Sequence, residues 1–237
     1  MYDYTKDIYY NENIEYLIDD EIIEYDMSDA GFSLIKQFRL LPMEKINELE
    51  KIPKGRDRHI QVGIIQRDDK VFSERLKECF ARMREAFITS NKLLDNDIIA
   101  VKKDAIFTSK ICNKLKFDNI QFNAKSTYSS YIRFPELNNL EIYYNNNEVD
   151  IKGMGEIAFR KHRIYMIEFI IKIIKLLESR DNKVKREIIA FVDEYGAGKL
   201  AQEYYLEFNS KSSTINPIYN YLHIIIPLIS IIDKEMR

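Results

Sequence analysis

Cysteine is scarce: Cys79 and Cys112 are the only two in 237 residues, too few for a disulfide framework or a four-cysteine zinc site. A surplus of positive charge is missing too. Lys and Arg number 36 against 38 Asp and Glu, giving a net charge of −2 and a pI near 6.0. That balance excludes coating of nucleic acid by bulk electrostatics and leaves any such binding to local patches. Long apolar runs are also absent. Ile164 to Leu177 is broken by Glu168, Lys172 and Lys175, and Leu222 to Ile232 is shorter still. Neither reaches the ~18 to 20 uninterrupted apolar residues of a spanning helix, so both read as core helices and no membrane is expected. No apolar signal segment precedes the cysteines, and the expected setting is reducing and cytoplasmic. His59, His162 and His223 are scattered without metal-ligand spacing, and no Ser/His/Asp or Cys/His arrangement suggests a nucleophile.

What is present is the composition of an ordinary folded protein, 46% hydrophobic and 31% charged, long enough for one domain or two small ones. An acidic first stretch ends in Glu21 to Asp26, whose charged and apolar residues alternate as in a short strand. Gly31 permits a turn before a helical pattern over Phe32 to Phe38, and Pro42 opens a short helix through Glu50. Lys51 to His59 reads as a basic loop, Ile60 to Gln66 as a strand, and Ser73 to Leu94 as a capped helix. Asp97 to Thr108 has the pattern of a tight β-hairpin with Lys102, Lys103 and Asp104 at its turn. Strands are expected at Asn119 to Phe122, Ser126 to Phe134, Leu140 to Tyr144 and Val149 to Ile151, the last two joined through Asn145-Asn146-Asn147. Beyond Glu156 the pattern turns helical, over Arg160 to Glu178, Val184 to Tyr195, Leu200 to Phe208 and a segment after Pro217. The expected fold is therefore α+β, with an α+β domain over residues 1–155 and a helical domain over 156–237. Gly196-Ala197-Gly198-Lys199 lacks phosphate-loop spacing and follows a helix, so it reads as a helix stop.

Two carboxylates presented from adjacent strand ends are what a two-metal phosphoryl-transfer site requires, because hard divalent cations take oxygen ligands. Asp26 and Asp104 are placed for that role, although an Asp in a hairpin turn also serves turn chemistry. The stretch Tyr25-Asp26-Met27-Ser28-Asp29-Ala30-Gly31-Phe32-Ser33-Leu34-Ile35 resembles the first palm motif of family-B DNA polymerases, and Val101 to Phe107 is similar to their later hairpin motif, with Asp104 on its second Asp. Ala124-Lys125-Ser126-Thr127-Tyr128 is similar to the family's Lys-Lys-x-Tyr segment, and Glu148 to Gly153 to its Asp-x-Lys-Gly segment. A basic stretch from Arg160 follows, as it does in the family.

The resemblance implies a polymerase-like palm with an antiparallel sheet and packed helices, followed by an all-helical thumb-like lobe. It implies Asp26 and Asp104 as catalytic ligands of Mg2+ or Mn2+, and Lys125, Tyr128, Lys152, Arg160 and Lys161 as contacts to a DNA primer–template. Lys54, Arg56 and Arg58 could hold a nucleoside triphosphate, since guanidinium groups match phosphate oxygens bidentately; a solvated loop is the other reading. The chain departs from the family in four respects, one being Ser126, which stands where the second Lys of the Lys-Lys-x-Tyr segment would be. Lys102 stands where the family has the first Asp of the hairpin, no fingers motif is found between Lys36 and Leu94, and there is no room for an exonuclease before Asp26. Lys102 either points into the cleft and competes with a metal, or points outward. A partner protein could supply the missing parts. A catalytically inactive polymerase fold that binds nucleic acid or a replication partner is the alternative, and an unrelated helical interaction module is a third.

Overall fold

The computed structural model describes residues 2–135, 139–146, 148–153, 168–202, 208–209, 218–219, 228–232 and 234. The fold is α+β and divides into two compact units, Met1–Ile14 with Ile22–Thr127, and Glu15–Glu21 with Tyr128–Arg237.

The first unit is built on β1 (Ile8–Tyr10), the inner part of β2 (Tyr16–Met27), β3 (Ile98–Lys102), β4 (Ala105–Thr108) and the first part of β6 (Ile120–Phe134), in the order β1-β3-β4-β2-β6. The short β5 (Lys116–Phe117) pairs with β6. Glu24 lies opposite Phe107, and Asp26 opposite Ala105, in the antiparallel β2–β4 ladder. Strand alternation sends Ile23, Tyr25 and Met27 to one face. There they share a core with Val101 and Ile106, Leu34 and Ile35 of α1 (Ala30–Phe38), and Leu76, Phe80 and Phe87 of α4 (Lys70–Ser90). Glu24 and Asp26 therefore belong to the opposite face. Two further helices, α2 (Met43–Lys51) and α3 (Arg56–Asp68), complete the unit.

Several local expectations are corrected here. Ile60 to Gln66 is not a strand but the middle of α3, and residues 56–59 are its first turn, not loop. Ile60, Val62 and Ile64 alternate like a strand, yet the side chains turned inward are Arg58, Val62 and Ile65, at helical spacing, while Ile60 stays exposed. The next helix starts at Lys70, three residues before Ser73, because Asp69 Oδ1 accepts the Phe72 N–H at 2.9 Å. β1 lies in the acidic stretch where no strand was expected, and the two strands expected over 119–134 are one continuous β6.

In the second unit β2 and β6 are joined by β7 (Leu140–Asn145) and β8 (Glu148–Lys152), with Arg133 opposite Glu141, and Tyr143 opposite Asp150. Helical residues 168–178 and α5 (Lys183–Gly196) place Ile170, Ile173, Ile174, Leu177, Val184, Ile188 and Phe191 against Ile132, Phe134, Leu140, Ile142 and Tyr144. Along the core helix expected over Ile164 to Leu177, Ile170, Ile174 and Leu177 are buried and Ile171 is partly so, while residues 164–167 lie outside the described residues. The helices bury their apolar stripes on strands, so the all-helical lobe is corrected to a sheet covered by helices. Phe208, expected to end a helix, belongs with Asn209 to a short strand that pairs antiparallel with Ile218–Tyr219, expected as helical; residues 203–207 lie outside the described residues. Gly153 ends β8 at φ +94, where a Cβ would sit 3.1 Å from the Asn139 carbonyl. No helix among the described residues is long and apolar enough to cross a membrane.

Candidate functional site

The hairpin turn consists of Lys103, in the left-handed region at φ 56, and Asp104. The Met27 N–H donates to the Asp104 carbonyl at 3.1 Å, which fastens the turn to the end of β2 beside Asp26. Burial pushes the Asp104 carboxyl above the usual carboxylate range, the negative charge of Asp26 adds to the shift, and Lys103 and Lys125 oppose it. The turn is clasped from behind. Arg84 of α4 is fully buried and donates to the Lys103 carbonyl at 2.8 Å, to Asp7 Oδ1 at 3.1 Å and to the Tyr4 carbonyl at 2.8 and 3.1 Å. The Lys103 N–H in turn donates to the Asp7 carbonyl at 2.5 Å.

Lys125, expected at a nucleic-acid phosphate, instead lies against this pair. Its Nζ is 3.2 Å from Glu24 Oε1 and 3.3 Å from Asp26 Oδ2. Burial alone would lower the Lys125 pKa, but Glu24 and then Asp26 outweigh it and raise it. Lys102 is not the competing cation: its ammonium sits 3.8 Å from the centroid of the Tyr10 ring. Glu24, with a side chain only 3% exposed, is a site member the sequence reading missed. The signal was available, since residues 24 and 26 of a strand share a face. Among the described residues no group of three or more His, Cys, Asp or Glu is placed to hold a metal.

A polar cleft of about 470 Å³ opens at the start of α1, lined by Ser28, Asp29, Ser33, Lys36, Lys54, Arg58 and neighbouring amide side chains. Lys54 Nζ donates to Ser28 Oγ at 2.8 Å. Arg58 is largely committed: it pairs with Asp29 at 2.6 Å, donates to the Ile52 and Glu50 carbonyls, and covers the Phe32 ring at 4.5 Å. Asp29 is thus neither a helix cap through its side chain nor solvated, but the partner of Arg58, with His59 Nε2 3.5 Å away. Arg56 is exposed at the first position of α3. A smaller cleft of about 120 Å³ lies on the other side of α1, between Gly31, Val62, Phe80 and Asp104.

In the second unit, the Tyr128 hydroxyl donates to Asp150 Oδ2 at 3.4 Å, and its ring packs 5.0 Å from that of Tyr143. Lys152 pairs with the same Asp150 at 3.2 Å. Tyr143 in turn donates to the buried Glu141 at 2.9 Å. Arg160 and Lys161 lie outside the described residues.

Comparison with known proteins gives one partial likeness and one family. The chain is 26% identical over 110 residues to large ribosomal subunit protein uL10 of Sulfurimonas denitrificans (strain ATCC 33889 / DSM 1251), a stretch that is 46% of this chain and spans 61% of that protein's length. The family described as bacteriophage PBS1 gene 130 protein matches over residues 1–231. With nearly the whole chain covered, including both carboxylates, the clasped hairpin and the polar cleft, the protein belongs to the bacteriophage PBS1 gene 130 protein family.

Proposed function

We propose that this chain is a polymerase-type nucleotidyltransferase that extends a primer on a nucleic-acid template in DNA replication, with a palm-like first unit acting in the cytoplasm. The observation that carries this reading is the ladder that sets Asp26 opposite Ala105, at the foot of the turn bearing Asp104. The residues fit a hard divalent cation: the Asp104 carboxyl is driven up by burial and by the like charge of Asp26, an imbalance that a cation relieves. Asp26 and Asp104 would hold Mg2+ or Mn2+, which when bound supplies charge neutralisation at the reacting phosphoryl oxygens. With two carboxylates in the set, substrate oxygens would complete the coordination.

The cleft at the start of α1 supports a triphosphate site, with Lys54 reaching anionic oxygens and Arg58 shaping the wall through Asp29, while Lys36 is paired with Glu50. Primer extension with Mg2+ or Mn2+, comparing the native chain with Asp26→Asn and Asp104→Asn, tests the assignment. Loss of extension to background in both variants is expected. Native chain that extends nothing, alone or with a replication partner, would overturn it.

A second reading is favoured by the Lys125–Asp26 ion pair, which already neutralises one carboxylate: a non-catalytic member of the same fold that binds nucleic acid. It requires duplex binding, read by fluorescence anisotropy, to be unchanged by Mn2+ and by Asp104→Asn.

A further inference from the structure

We infer that Lys125 is a tethered counter-cation of Glu24 and Asp26, displaced when a divalent cation enters at Asp26 and Asp104 and then available to a phosphate of bound nucleic acid. The inference rests on the reading of Asp26 and Asp104 as metal ligands. Glu24 is nearly enclosed, and a buried carboxylate is costly unless it is paired or hydrogen-bonded, a need to which a cation beside it contributes. Lys125 meets that need from β6 with its ammonium between Glu24 and Asp26, while 56% of its own side chain remains in solvent. That combination differs from a locked internal bridge such as Arg84, which is fully buried and spends its donors on backbone carbonyls and Asp7. A half-exposed lysine on a flexible stem leaves a site by rotamer change alone.

The electrostatics set the direction of coupling. Asp104 feels Asp26 as a like charge and Lys125 as an opposite one, so the ammonium and a divalent cation compete for the same negative field. Entry of the stronger charge repels Lys125 from Asp26 and frees its ammonium from the site. Metal binding and nucleic-acid binding then promote one another, and by linkage the effect is reciprocal.

The test uses the full chain and Mn2+ alone, with uncomplexed Mn2+ measured by electron paramagnetic resonance. Lys125→Met should bind Mn2+ at least about tenfold more tightly than the native chain. Lys125→Arg, which restores the charge, should bind no more tightly than native, and Asp26→Asn should bind weakly. A readout that needs no substitution accompanies these: brief acylation and mass spectrometry of the native chain, in which modification of Lys125 should rise several-fold on Mn2+ saturation. Unchanged affinity in Lys125→Met and flat labelling, with Asp26→Asn still weakened, would make Lys125 a permanent bridge and overturn the inference while leaving the metal site standing. Mn2+ binding that is absent from all four proteins, or the same in all four, would remove the metal reading and this inference together.

Discussion

Asp104 sits where burial and the charge of Asp26 both oppose its ionisation. Its folded pKa is raised, so its contribution to stability is fully present below the unfolded value of about 3.9 and is lost as pH rises through the folded one. At neutral pH the ionised side chain therefore costs stability, and Asp104→Asn should raise the melting temperature at pH 7 while abolishing function. The difference should close as pH is lowered toward 3.5, where both side chains are neutral. Circular-dichroism melts at the two pH values check this, and a lower melting point for the Asn variant at pH 7 would show that the carboxylate is structural. Cys112 gives a second residue-level prediction. Burial pushes its thiol up to about 11, so at pH 8 only about a thousandth is thiolate, and the native chain should resist iodoacetamide there. Alkylation of Cys112 at the rate of an exposed thiol would contradict its placement behind Tyr25, whose hydroxyl accepts the Cys112 N–H at 2.8 Å.

At the scale of elements, the hairpin depends on a clasp made by a helix. Arg84→Met removes the donors to Lys103, Asp7 and Tyr4 and leaves part-buried acceptors unpaired, which should cost about 3 kcal/mol in urea unfolding. A cost below about 1 kcal/mol would show that the turn holds itself. The hairpin was legible in the sequence because Ile98 to Thr108 carries apolar residues on both sides of a charged turn, and β2 because Glu21 to Asp26 alternates. The helix α3 was not legible. Its β-branched residues alternate, and only the tertiary burial of Arg58, Val62 and Ile65 reveals the helical face. The clasp was hidden for a related reason: Arg84 is a single charge on an apolar stripe, four residues from Phe80, and nothing local names its partners 77 to 80 residues earlier in the chain. Of the two orientations open to Lys102, two residues before Asp104, it takes the one away from the carboxylates, over the Tyr10 ring; the cation at the carboxylates is Lys125, which reaches Glu24 across 101 residues of chain through the sheet.

Over the whole molecule the charges nearly cancel, with a net of −2, so nucleic-acid affinity must come from a few placed cations. Several candidates are already spent: Arg58 on Asp29, and Lys152 on Asp150. Lys54 and Arg56 remain exposed, and Lys125 joins them if a metal displaces it. About three phosphate contacts give a logarithmic salt slope of about −3, or about −5 if Arg160 and Lys161 also reach phosphate. Between 50 and 200 mM salt, duplex affinity should therefore fall by about fortyfold in the first case and about five-hundredfold in the second. The coupling through Lys125 adds a sharper expectation: the slope measured with Mn2+ present should exceed the slope without it by about one contact, and Lys125→Met should show no such difference. Fluorescence anisotropy of a labelled primer–template across a salt series, with and without Mn2+, measures both slopes. A flat dependence would mean that the near-neutral balance of charge leaves no phosphate-binding face at all. A slope near −10 would assign binding to cations other than these, because so few exposed side chains of the first unit cannot release that many counterions.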